Sequence, residues 1–220
     1  MNNTPHTNCL TLRLLHAAKG YKAVAFDIFD TLLKRDCAHP ADLFALMEVT
    51  HQAAFGFAGA RVAAEAETRQ TLGREVTLAE IYAHPALRGT DPAAECAAEL
   101  AMIAPNRPVA QAAAACHARG QKVYAVSDMY LPKEQIEAML QKCGLDFLDG
   151  VFVSCEYRVQ KRSGKLFKLF LQQTALRPAE VLFVGDSPRA DFAGAALAGI
   201  RCFLLPQPTP LPYTKTPADA

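Results

Sequence analysis

Four consecutive apolar residues, Ala23-Val24-Ala25-Phe26, stop abruptly at Asp27, with Asp30 and Thr31 just beyond. An unbroken apolar run of this length reads as a strand buried on both faces. A carboxylate at the carboxyl end of such a strand stands where open parallel sheets bind their ligands. Asp27 then has two readings. One is a turn or helix cap, a common use of Asp and Thr. The other is a nucleophile that also ligates a metal. Partners at other strand ends decide between them.

The second half of the chain supplies those strand ends. A helix is expected from Pro108 to about Arg119, stopped by Gly120, and a strand over Lys122–Val126 that ends at Ser127-Asp128. Pro132 opens a helix closed by Gly144, Val151–Val153 reads as a strand, and Leu166–Gln173 as a helix. Glu180–Val184 is a strand ending at Gly185-Asp186-Ser187, Arg189–Ala198 a helix stopped by Gly199, and Arg201–Leu205 a last strand. Such alternation implies an α/β fold: a Rossmann-like, mostly parallel sheet with helices on both faces.

Between Asp36 and Pro105 the signals are helical, with no convincing strand. Leu43, Phe44, Leu46 and Met47 follow His39-Pro40, another helix covers about Arg61–Leu72, Thr77 and Glu80 form a capping box, and Asp91-Pro92 opens an Ala-rich helix. The expected organisation is an α/β core over residues 1–36 and 105–205, a helical cap over 37–104, and a Pro-rich, extended tail over 206–220. Arg61, Glu65 and Arg69 recur at helical spacing and are either cap contacts to a substrate or a solvated face.

Lys and Arg number 23 and Asp and Glu 22, so charge gives no argument for a nucleic-acid partner or an anionic membrane surface. No apolar run approaches the roughly 20 residues of a membrane span, so membrane insertion is not expected. Met1–His16 lacks the pattern of a signal peptide, and 7 scattered cysteines without a Cys-x-x-Cys pair read as reduced thiols. A cytoplasmic location is the expectation. The 6 histidines form no ligand-spaced cluster, which argues against zinc.

The order of elements delivers Asp27, Ser127, Lys161 and Asp186 with Asp191 to strand ends or nearby loops. Singly, each has a dull explanation as a cap, a turn residue or a solvated charge. Together they suit phosphoryl transfer. A carboxylate such as Asp27 can attack phosphorus and form an acyl phosphate. The acidic groups repel unless a cation lies between them, and Mg²⁺ fits, since it prefers hard oxygen ligands. Lys161 and Ser127 can hold the phosphoryl oxygens.

The segments Asp27-Ile-Phe-Asp-Thr31-Leu32, Val126-Ser127-Asp128, Lys161 and Gly185-Asp186-Ser187-Pro-Arg-Ala-Asp191 resemble the four motifs of the haloacid dehalogenase-like hydrolases, in the same order and over about residues 22–205. Lys161 is preferred to Lys165 by its spacing from Leu166-Phe167. The fuller pattern, Phe-Asp-Ile-Phe-Asp-Thr-Leu-Leu-x-Arg with Ser-Asp-Met-Tyr-Leu-Pro, is similar to a subgroup often associated with surface-polysaccharide biosynthesis and glycosyltransferases. The resemblance implies that Asp27 is the nucleophile. It also implies that Asp27, the backbone carbonyl of Phe29 and Asp186 hold Mg²⁺ with Asp191 in support, and that Ser127, Asp128 and Lys161 bind the phosphoryl group of a small phosphorylated metabolite. It places a cap in the helical insertion, closing over the site.

One departure matters. Family phosphatases usually carry a second Asp two residues after the nucleophile as general acid and base, and here that position is Phe29. Asp30, one residue on, is a conditional substitute. Three readings follow: a Mg²⁺-dependent phosphatase or phosphotransferase, a metal-independent dehalogenase-like hydrolase attacking carbon, and a phosphate-binding or regulatory module with little turnover. Dehalogenases do not usually keep the Gly-Asp pair that stands here as Gly185-Asp186, which favours the first.

Overall fold

A computed structural model of the chain describes residues 8–37 and 39–206. Five parallel strands form the central sheet: β1 (Ala23–Phe26), β4 (Lys122–Ser127), β5 (Gly150–Val153), β6 (Val181–Gly185) and β7 (Arg201–Leu204), in the order β5-β4-β1-β6-β7. A second sheet pairs β2 (Leu33–Arg35) with β3 (Ile103–Pro105) antiparallel. The helices are α1 (Cys9–Ala17), α2 (Asp42–Val49), α3 (Phe57–Leu72), α4 (Leu78–Tyr82), α5 (Pro92–Met102), α6 (Arg107–Ala118), α7 (Lys133–Lys142), α8 (Ser154–Tyr157), α9 (Lys165–Thr174) and α10 (Gly194–Leu197).

The four residues of β1 are all buried, as the unbroken apolar run requires. Their side chains alternate between faces. Val24 and Phe26 join an apolar cluster with α1, α6 and α7, while Ala23 and Ala25 face a second cluster built around Phe167, Phe170 and Phe183. The alanines are small where the rings are large: Phe167 and Phe183 meet edge to face at 4.8 Å on that side.

β1 is the hub. Phe26 pairs with Ala125 of β4 on one side and Val184 of β6 on the other. The polar residues that follow these three positions therefore emerge together at one edge of the sheet, where the strand order reverses about β1.

Helices α2–α5 lie between β2 and β3, so the short antiparallel pair forms the neck of the helical insertion. The expectation of no strand there is corrected at Ile103–Pro105. Three residues ending in proline carry little strand signal, and a proline fits such a short two-stranded ladder because no further strand needs its missing N–H. The capping box of α4 and the Asp91-Pro92 start of α5 are present. The insertion shares its apolar cluster with one sheet face, from Phe26 through Leu33 and Leu43 to Phe57 and Ile81. Polar bonds tie it down as well: the Leu78 N–H donates to the Tyr130 carbonyl at 2.8 Å, and the Gln135 amide donates to the Cys96 carbonyl at 2.7 Å.

Arg61 is neither a cap contact nor part of a solvated face. Its side chain is 0 % exposed. The guanidinium grips Glu95 with two bonds of 2.6 and 2.8 Å, adds Glu65 at 3.0 Å, and lies over the rings of Phe44 and Tyr130. Tyr82 donates its hydroxyl to the same Glu95 at 2.8 Å. Glu65 and Arg69 are half-buried and paired with each other. The sequence does carry a signal for this: Arg61 shares a helical stripe with buried Phe57, Ala64 and Thr68.

The helix expected over Arg189–Ala198 is also corrected. Pro188–Ala193 forms a wider π-helical turn, with the Phe192 N–H reaching the Ser187 carbonyl, and only Gly194–Leu197 is α-helical. Such turns are rare and gather at functional sites. All 7 cysteines are free. Among the described residues no helix is long and apolar enough to cross a membrane. Residues 207–220 of the expected tail lie outside the described residues.

Candidate functional site

Asp27 follows β1 and is buried, 6 % exposed. Lys161, in the tight turn Lys161–Ser163 before α9, reaches it with Nζ at 2.5 Å from Oδ1. Ser127, the last residue of β4, directs its hydroxyl to the same oxygen at 3.3 Å. Lys161 also bonds Asp191 Oδ1 at 2.6 Å. The other oxygen of Asp191 accepts the backbone N–H groups of Asp186 and Ser187, both at 3.0 Å. The wide turn from Pro188 brings Asp191 back over the end of β6 to make these bonds.

Asp27, Asp186 and Asp191 each offer an oxygen, and the three lie within 4.8 Å of one another. Asp186 is half-buried, with the Thr31 hydroxyl at 3.4 Å from its Oδ1. Burial pushes the Asp27 carboxyl up to about 7; the charge of Lys161 opposes the rise and those of Asp191 and Asp186 add to it. Burial raises Asp186 too, helped by Asp191 and Asp30. Burial disfavours a charged Lys161, but Asp27 and Asp191 outweigh it and hold the ammonium protonated. Three acidic groups thus gather around one ammonium in a largely buried site, and their mutual repulsion adds to burial in raising Asp27 and Asp186. Hard oxygen donors gathered in this way suit a divalent cation such as Mg²⁺.

The sequence-predicted residues are distributed as follows. Asp27, Ser127, Lys161, Asp186 and Asp191 converge. Asp128 is one step out: its Oδ1 accepts the backbone N–H of Lys161 at 2.8 Å, so it fixes the turn that carries the lysine. Phe29 is half-buried with the Arg35 guanidinium 4.0 Å from its ring centroid, and Arg35 is held by Glu99 through bonds of 2.8 and 3.1 Å. Asp30 is exposed, at φ 59°, a left-handed conformation uncommon outside glycine. Its charge is close enough to raise Asp186.

Several residues that build the site were not singled out in the sequence. Ser154 clamps the loop after Ser127, with its Oγ accepting the Met129 N–H at 2.9 Å. Asn106, at the insertion neck, donates to the Thr31 carbonyl at 2.7 Å. Two glycines permit close approach: Gly194, not singled out either, and Gly185 of the last motif. A Cβ on Gly185 would lie 2.3 Å from Asp191 Oδ2, and one on Gly194 would lie 2.2 Å from the Lys161 carbonyl oxygen. The latter neighbour is backbone and cannot swing aside. Gly194→Ala is therefore expected to cost about 1–3 kcal/mol of stability through overpacking, read as a lower melting temperature. An unchanged melting temperature would contradict this contact.

A family model for haloacid dehalogenase-like hydrolases matches residues 21–199. No curated protein matches the chain. Among solved structures, a HAD phosphatase from Thermococcus onnurineus is similar at 20 % identity, covering 87 % of this chain and 89 % of its own, with a TM-score of 0.61. The L-2-haloacid dehalogenase from Xanthobacter autotrophicus is similar at 22 % identity over 83 % and 76 %, with a TM-score of 0.58. At these identities the likeness is one of fold, and it extends to enzymes of both chemistries. The family match spans four of the five strands of the sheet, the insertion and every strand end that carries the carboxylate cluster, and on that match the chain belongs to the haloacid dehalogenase-like hydrolases.

Proposed function

We propose that the protein is a Mg²⁺-dependent phosphatase or phosphotransferase acting on a small phosphorylated metabolite. The observation that carries this reading is the cluster of Asp27, Asp186 and Asp191 against the single ammonium of Lys161. An enzyme attacking carbon uses a carboxylate nucleophile and a base for the water step but has no need of a cation, whereas clustered carboxylates of this number suit one. A sugar phosphate fits the association of this motif pattern with surface-polysaccharide assembly.

Asp27, the Phe29 carbonyl and Asp186 would hold the ion. Asp191, with both oxygens already engaged by Lys161 and two backbone amides, supports from behind. When bound, Mg²⁺ offsets the charge of the phosphoryl oxygens and of the carboxylates around them. The ionised Asp27 attacks phosphorus, the phosphorus–oxygen ester bond breaks, and the alcohol departs with a proton. Lys161 and the Ser127 hydroxyl orient the phosphoryl oxygens. Water or a second alcohol then attacks the acyl phosphate at phosphorus, loses its proton, and returns Asp27 as carboxylate. The helical insertion would exclude bulk water during these steps.

Both halves of the cycle move a proton, and Phe29 cannot carry it. Asp30, exposed and beside Asp186, is the candidate. Asp30→Asn is expected to cut turnover by ~10²-fold or more if Asp30 serves as acid and base, whereas a change within about twofold would show that it only shapes the turn. The reading as a whole is tested by assaying a panel of phosphorylated metabolites for phosphate release with Mg²⁺ and without it.

A further inference from the structure

At the seam between the helical insertion and the sheet core lies a cleft of about 440 Å³. Arg69 and Arg74 line it from the insertion, and Arg158, Arg162 and Lys165 line it from the segment that carries Lys161. One carboxylate, Glu75, faces these cations from the lining. Three of the five are already paired: Arg69 with Glu65 and Glu75, Arg74 with Glu80 at 2.7 Å, and Arg158 with the same Glu80. Hydrogen bonds from Arg74, then from the Thr77 backbone and Arg158, hold Glu80 down at about 2, so it stays charged against them. Arg158 adopts φ 59° in reaching across the seam.

Arg162 and Lys165 are different. Both are exposed, and neither has an ion-pair partner among the described residues. The cleft thus collects two surplus positive charges in a chain whose overall balance is 23 basic to 22 acidic residues. Clustered like charges raise the energy of the empty cleft, and a ligand with two or more negative charges relieves it. Planar guanidinium groups suit phosphate and carboxylate oxygens in particular. The location adds to this. Gln160 and Arg162 line the cleft on either side of Lys161 in sequence, and Lys161 Nζ rests on Asp27. The cleft is thus lined by the sequence neighbours of the lysine whose ammonium meets the reacting carboxylate.

We propose that this cleft binds a small multivalent anion of the phosphate or carboxylate class, such as a diphosphate, separately from the phosphoryl site at Asp27. The binding does not depend on the reading of Asp27 as a nucleophile.

The test titrates inorganic pyrophosphate into the whole protein by calorimetry, in metal-free buffer at low salt. Saturable binding is expected, weakening as salt rises. Arg162→Glu combined with Lys165→Glu should weaken it by roughly tenfold or more through reversal of both surplus charges. Both side chains are exposed, so circular dichroism should report an unchanged fold. Asp27→Asn should bind as the parent does. Failure to bind, equal binding by the charge-reversed variant, or loss of binding in Asp27→Asn would each overturn the proposal. Kinetics assign the source of the anion. If it is the substrate's own second anionic group, charge reversal raises KM for such substrates and not for an aryl monophosphate. If it is a separate effector, pyrophosphate changes kcat in the parent and not in the charge-reversed variant.

Discussion

Replacing Asp27 by Asn is expected to abolish turnover of a generic aryl phosphate, by at least about 10³-fold, while the fold survives. The amide is nearly isosteric with the carboxylate, so packing at the end of β1 is preserved. It offers no anionic oxygen to attack phosphorus, and it removes one of the three acidic groups gathered around Lys161. The loss belongs to the nucleophile and is not shared with groups that only orient the substrate. Circular dichroism should be unchanged, and the melting temperature should hold or rise, because a raised, buried carboxyl is replaced by a neutral group. Comparable rates for variant and parent would remove Asp27 from the chemistry.

The largest effect on stability is expected at Arg61. Arg61→Ala leaves Glu95, itself 0 % exposed, as a buried carboxylate with only the Tyr82 hydroxyl to meet it among the described residues. Breaking one side of a buried ion pair costs roughly 3–5 kcal/mol. For a chain of this size that lowers the melting temperature by on the order of 10 °C. Replacing Arg61 and Glu95 together by Met and Leu should cost much less than the two single changes summed, because neither charge is then left alone. A loss below about 1 kcal/mol for Arg61→Ala would show that Glu95 escapes to water or is neutralised. Tyr130, three residues beyond Ser127, packs under this guanidinium, so the same network anchors the loop after β4.

The parallel core was legible because its central strands are short apolar runs with a polar stop. A run such as Ala23–Phe26 or Val181–Val184 has no competing amphipathic reading. The capping signals at Thr77-Glu80 and Asp91-Pro92 were equally local. What the sequence hid depends on tertiary partners. Arg61 is spaced with the buried face of its helix, but its charge argues for solvent, and only the approach of Glu95 from another helix makes its burial tolerable. Ile103–Pro105 is a strand because Leu33–Arg35 lies beside it, not because of its own composition. The π-helical turn at Pro188–Ala193 exists for the return of Asp191 to the amides of Asp186 and Ser187, a bond between a side chain and its own loop that spacing does not reveal.

The site was legible as a set of residue types at strand ends, and less so as a set of roles. Asp128 illustrates the gap, since its carboxylate is committed to the Lys161 backbone in this structure. Asn106 and Gly194 contribute through an amide and an absent side chain, and neither stands out without the fold.

The most direct measurement of the central claim follows phosphate release by the unmodified protein, first stripped of metal by EDTA and then titrated with Mg²⁺. The account predicts no release without the ion, saturable restoration with it, and no restoration in Asp186→Asn at the same concentrations. Undiminished turnover in EDTA would contradict it, as would release of halide from a haloacid under the same metal-free conditions.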